Sequence, residues 1–160
     1  MPTPTPIREK LLALVADRLA DVMSDIPVER ARRSIPSEDI EGEFPRLIVK
    51  GGDLTSSDGE GFGETTYAVE AVVTGYAKAS PYDDDQDLSC EQALSALHAR
   101  VVAALVGWQP DGTDLNEVRD GGGASFIVYD LEESAVAAGE FSATFEAVSI
   151  RPTGHPYAAA

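Results

Sequence analysis

An α+β domain, with two helices laid on a mainly antiparallel sheet of four to six strands, is what this sequence predicts, and three features predict it. From Glu64 to Lys78 the side chains alternate. Tyr67, Val69, Ala71, Val73 and Ala77 fall on one side, and Glu64, Thr66, Glu70, Thr74 and Lys78 on the other. A period of two over that length marks a long strand with one buried face. After an acidic turn, Cys90, Leu94, Leu97, Val101 and Leu105 recur at helical spacing up to Gly107. A strand followed by a helix able to cover its apolar face is a core in miniature. The third feature is a closing strand, Glu140 to Arg151, in which Phe141, Ala143, Phe145 and Ala147 alternate with Glu140, Ser142, Thr144 and Glu146.

The remaining elements follow in chain order. Leu12, Val15, Leu19 and Val22 make a helical stripe, widened by Leu11 and Leu14. Thr5 suits the N-cap and Pro6 the first helical position, and Pro27 stops the chain from continuing as helix. Val28 to Ile35 reads as a charged edge strand, because Arg30 and Arg32 fall on one side and Arg33 on the other. Ser37 to Glu43 is an acidic loop. Phe44-Pro45 leads into a short strand, Arg46 to Lys50, that stops at Gly51-Gly52. Asp53 to Gly63, with glycines at 59, 61 and 63, reads as a mobile loop or a long hairpin connection. The acids around Asp83 to Asp87 sit where a helix N-terminus attracts negative charge, and Ser89 with Gln92 fits a capping box. Leu115 to Arg119 reads as a short strand, Gly121 to Gly123 as a bulge or hairpin tip, and Ser125 to Tyr129 as a further strand. The core then spans about residues 6–151 of a single domain of 160 residues, with 152–160 a loose tail.

Composition narrows the function. The net charge is −16, with 28 acidic and 12 basic residues. Gripping nucleic acid or an anionic membrane needs clustered Lys and Arg, so neither is expected. The charge is lopsided: residues 1–50 hold 8 basic residues against 9 acidic, and residues 51–160 hold 4 against 19. Such an arrangement suits head-to-tail contact between copies, basic edge to acidic face. No apolar run reaches the roughly 20 residues that span a bilayer, and the first residues lack the pattern of a signal peptide. Cys90 is the only cysteine, which fits a reducing compartment.

No catalytic set is predicted. A nucleophilic triad needs Ser or Cys beside His and an acid. Cys90 and His98 stand roughly 12 Å apart along one helix at 1.5 Å per residue, and His155 is in the tail. Cys90 lies on the apolar stripe and reads as a small core residue; His98 lies off it and reads as a partly exposed surface residue. One Cys and two distant His cannot supply a zinc site. Asp83 to Asp87 lack the glycine and the final glutamate of a calcium loop. The glycines near 59–63 precede a strand where a dinucleotide loop would precede a helix. No enzyme, cofactor or metal is expected.

The order of elements resembles that of the tail terminator (tail completion) proteins of long-tailed phages and related particles. The stretches that carry the resemblance are Ile7 to Val22, Phe44-Pro45-Arg46-Leu47-Ile48-Val49, Thr65 to Lys78, Leu88 to Val106 and Phe141 to Ile150. The resemblance implies a virion structural protein, made in the host cytoplasm and placed at the tail–head junction. It implies a homo-oligomeric ring, usually six-fold, that caps the tail tube, meets neck or connector proteins, and lets DNA pass without binding it specifically. Joined to the charge asymmetry, it puts Arg30, Arg32, Arg33 and Arg46 against acids of the neighbouring subunit. Glu70 and Lys78, on the sheet face away from the core, become candidates for the lumen or a subunit contact. Two other readings stay open: another neck or connector ring protein, and a small acidic immunity or nucleic-acid-mimic protein that blocks a basic partner.

Overall fold

The computed structural model describes residues 3–30, 44–58, 63–130 and 136–159. Within them the chain runs α1 (Ile7–Val22), β1 (Val28–Arg30), β2 (Arg46–Asp58), β3 (Glu64–Lys78), α2 (Gln86–Leu105), β4 (Glu117–Val128) and β5 (Ala138–Pro152). The strands form one sheet in the order β1-β2-β3-β5-β4. Every pairing is antiparallel except β1 with β2, which is parallel. The α+β class, the mainly antiparallel sheet and the two helices are as the sequence predicts.

Both helices cover the same face. α1 packs on β1, β2, β3 and β5, and α2 on β3, β5 and β4. The face beneath them carries Val69, Ala71, Val73 and Ala77 of β3 and Phe141, Ala143, Phe145 and Ala147 of β5, all buried. Leu11, Leu12, Val15 and Leu19 of α1 and Cys90, Leu94, Leu97 and Val101 of α2 close over them. The alternation and the helical stripes thus mark the core, except at Val22, the last residue of the α1 stripe, which is 46% exposed. At roughly 1.5–3 kcal/mol per buried aliphatic or aromatic side chain, this layer supplies the main driving force for folding.

The glycines at 51 and 52 do not end β2. The strand continues to Asp58 through a register shift between Gly51 and Leu54. A Cβ on Gly51 would strike the Arg8 guanidinium and Leu12 of α1, and one on Gly52 would strike the Glu70 side chain. These glycines serve close approach on both faces of the sheet. The expected loop from Asp53 therefore resolves as the outgoing arm of a long hairpin with β3, solvent-exposed from Asp53 to Asp58; its residues 59–62 lie outside the described residues. Likewise, Leu115–Arg119 and Ser125–Tyr129 are not two strands. Glu117–Val128 is one strand, bulged between Asp120 and Ala124, with Gly122 and Gly123 at φ 108° and 132°. Of the charged strand expected from Val28 to Ile35, Val28–Arg30 is strand; residues 31–43, including the expected acidic loop, lie outside the described residues.

Three local expectations are corrected. Thr5 does not cap α1. The helix begins after Pro6 without a side-chain cap, because the C-terminal segment occupies this end: Ile7 N–H donates to Pro156 O (2.7 Å) and Ala158 N–H to Thr5 O (2.8 Å). For the same reason the tail is not loose. Arg151 donates to Asp114 Oδ1 and to Tyr157 O (both 2.5 Å), and Ala159 N–H donates to Asp114 Oδ1 (3.1 Å). Nor does Ser89 cap α2. Asp85 does, accepting from Leu88 N–H at 3.1 Å, while the buried Ser89 hydroxyl donates to Asp83 Oδ2 (2.6 Å) and accepts from Ser80 N–H (3.1 Å).

Candidate interaction surfaces

The sheet face opposite the helices is not plain solvent cover. Near the Arg46 end of β2, Phe44, Ile48, Tyr76 and Ala138 form a second, smaller buried cluster, and Thr74 beside it is 8% exposed. Phe44 and Tyr76 rings stand 5.2 Å apart, in the range for a favourable aromatic pair. Tyr129 packs on this cluster and its hydroxyl donates to Glu140 Oε1 at 3.1 Å. Burial, reinforced by the Glu140 carboxylate, pushes the Tyr129 phenol well above its usual pKa. Further along the same face Glu70 stands directly across from Glu146, and Glu146 across from Arg119.

Of the six residues singled out from the sequence, the four among the described residues do not converge on one patch. Arg30 and Arg46 both lie at the β1–β2 edge but on opposite faces of the sheet, each already in an ion pair within the chain: Arg30 with Glu9 of α1 (3.2 Å) and Arg46 with Glu29 of β1 (2.7 Å). Their side chains are 29% and 15% exposed, so both reach the surface while held in place. Arg32 and Arg33 lie outside the described residues. Glu70 is half-buried in mid-sheet, its carboxylate set beside the β2 bulge, where it accepts from Asp53 N–H at 3.4 Å. Lys78 ends β3, eight residues on, roughly 27 Å away at ~3.4 Å per residue. It lines a mostly apolar groove of about 440 Å³ with Ile26, Ala79, Ala93, Leu97 and Arg100.

One surface was not foreseen. α2 and β4 flank a cleft of about 400 Å³ lined by Asp87, Glu91, Phe126, Val128, Tyr129 and Asp130. Three carboxylates rim it above an apolar floor. Their signal in the sequence was lost among 28 acidic residues; only the pairing of β4 beyond β5, at the end of the sheet, brings Asp130 opposite the first turns of α2. Cys90, buried behind these turns, has its thiol pushed up to about 11 by burial and by the nearby charges of Asp87 and Glu91. It is a core residue, as expected. His98 is half-buried, as its position off the stripe suggests, but it does more than face solvent. Its ring meets Phe126 and Phe141 edge-on at 5.4 and 5.3 Å, tying α2 to β4 and β5.

Among the described residues, no group of three or more His, Cys, Asp and Glu is placed to hold a metal ion, and no helix is long and apolar enough to cross a membrane. The arrangement offers contact surfaces: a sheet edge with cations held in ion pairs, a half-covered sheet face, and an acidic cleft at the far edge. Neither a protein-family model nor a curated protein matches the chain. In fold it is similar to a chain of the virion of a native gene transfer agent (GTA) particle, with a TM-score of 0.50 and 14% sequence identity over 89% of this chain and 96% of that one. The likeness is one of fold, over nearly the whole of both chains.

Proposed function

We propose that this chain is a structural subunit of a phage-like particle, and specifically a tail-terminator-type subunit whose copies form a ring that caps the tail tube and joins it to the head or neck. The observation that carries the reading is the likeness in fold to a virion chain over nearly the full length of both. It agrees with the order of elements read from the sequence. The surface chemistry supports it as well: Arg30 and Arg46 stand at one edge of the sheet, and an acidic cleft lies at the other. In this role the protein is not catalytic and needs no cofactor. A net charge of −16 suits a ring through which DNA passes without being gripped, since like charge opposes adhesion to the phosphates.

Imaging tests the role. Purified protein is added to tail tubes of the same particle and viewed by negative-stain microscopy. The expected result is added density at one end of each tube. Binding along the whole tube, or no binding while the protein captures a soluble basic protein in a one-to-one complex, would contradict the role and favour the inhibitor or nucleic-acid-mimic reading.

A further inference from the structure

We infer that the outer edge of β4, together with the cleft between β4 and α2, receives the β1–β2 edge of a second copy of this chain. The inference rests on the ring reading and names its subunit contact.

The two edges of the sheet are built differently. At one end, among the described residues, β1 has three residues and pairs Leu47–Val49 of a 13-residue β2. At the other end β4 is 12 residues long and pairs only with β5 among the described residues. A long edge strand is a standing template for stray association, and proteins that remain monomeric blunt it with charge, proline or a covering element. The first half of β4 carries charges and a bulge, but its second half exposes Phe126 (41%) and Ile127 (54%), one on each face of the sheet. Phe126 also floors the cleft, so the apolar surface continues from the strand into the recess.

Charge selects the occupant. Asp87, Glu91, Glu117, Asp120 and Asp130 lie on or beside the β4 edge, against Arg119. On and beside the β1–β2 edge, among the described residues, Arg8, Lys10, Arg30, Arg46 and Lys50 stand against Glu9, Glu29, Asp53 and Asp58. In a chain so acidic overall, this is the part of the described surface best able to meet an acidic cleft. The ion pairs that hold Arg30 and Arg46 do not prevent it, since partly exposed pairs contribute little and can share a guanidinium with a further carboxylate.

Topology makes the contact repeatable. The complementary surfaces lie at opposite ends of one sheet, so the contact is heterologous, and rotation that closes gives a ring. β2, β3, β5 and β4 alternate in direction, so β4 runs opposite to β2. A copy rotated about an axis along the strands keeps its strand directions, and its β2 approaches β4 antiparallel.

Two variants test this, each altering exposed or half-exposed positions: an acidic-edge variant, Glu91→Lys with Asp130→Lys, and a basic-edge variant, Arg30→Glu with Lys50→Glu. Thermal melts followed by Trp108 fluorescence establish that each is folded. The expected result is that each alone needs at least tenfold more protein than wild type to assemble. An equimolar mixture assembles again with the two variants alternating, because their intact edges match each other and so do their reversed edges, and the chain carrying all four substitutions assembles through the reversed pair alone. If wild type assembles and either folded variant assembles equally well, or the four-substitution chain is folded yet monomeric, the edge assignment is overturned while the ring reading stands. Wild type that stays monomeric at every concentration and on tube ends overturns both.

Discussion

Phe141 of β5 lies directly across from Gly75 of β3, and its ring fills the space a side chain at Gly75 would need. The alternation of β3 skips from Val73 to Ala77 because the position between them is given to a neighbour's aromatic ring. Gly75→Ala is expected to destabilise the fold by about 1–3 kcal/mol, the usual cost of overpacking a filled site. Urea unfolding measures it, and combining the substitution with Phe141→Leu should recover part of the loss. A change within about 0.5 kcal/mol, the range of a neutral surface substitution, would mean that the ring has room to move.

The Asp114–Arg151 pair closes the other end of the molecule. Asp114 is 7% exposed and Arg151 16%, and the same two side chains hold the backbone of Tyr157 and Ala159. Removing one member of such a pair leaves the other charge poorly solvated. Asp114→Ala should cost roughly 2–4 kcal/mol, somewhat less than for a fully enclosed pair. It should also free residues after Pro152 for rapid trimming by carboxypeptidase. Loss of stability with the tail still protected would show that the Pro6–Tyr157 bridge holds it unaided.

Alkaline pH should weaken the fold in a defined window. The Cys90 thiol is raised from 9.0 to about 11 and the Tyr129 phenol is raised from 10.0, both chiefly by burial. Between the unfolded and folded pKa of such an acid, the folded state holds more protons. Stability is therefore full below about pH 9 and falls as the pH climbs from there. Chemical denaturation from pH 8 to 11 should show the decline, and Cys90→Ala should flatten its first part. A profile unchanged by that substitution would remove Cys90 as its source.

Asp25 and Arg100 join the turn after α1 to α2 by two hydrogen bonds, at 2.6 and 3.2 Å. The bond from Arg100 is the main cause of the lowered Asp25 pKa. A carboxylate with a depressed pKa contributes above its ordinary value, here 3.8, and the contribution is lost as the pH falls through the lowered one. Because the pair is open to solvent, Arg100→Ala should hardly change stability near neutrality. NMR titration should find Asp25 returned toward its ordinary value, and an unmoved titration would contradict the pairing.

How far the sequence revealed this depends on what each residue answers to. The cores of β3, β5, α1 and α2 were legible because burial imposes a period on the side chains, and Val69, Phe145, Leu19 and Leu97 obey it. The second half of β2 was not, because Gly51 and Gly52 signal a stop when only local propensity is read; their cause is Arg8, Leu12 and Glu70 across the fold. The tail was misread for the same reason, its anchor Asp114 being 37 residues from Arg151. Among the candidate contact residues, Arg30 and Arg46 stood out because cations are rare here. The acids of the α2–β4 cleft stayed hidden because acids are common, and only the sheet order gathers them.

The central claim, that copies of this chain meet head to tail and close into a ring, is tested most directly by molar mass in solution. Light scattering on wild-type protein across a concentration series, with and without tail-tube ends, should show one mass step from monomer to a fixed multiple of 16.9 kDa. Negative-stain images of that species should show a closed ring, and added salt should shift the step to higher concentration, as charge-led association requires. A mass that stays at one chain under all of these conditions would contradict the account, as would an isologous dimer that grows no further.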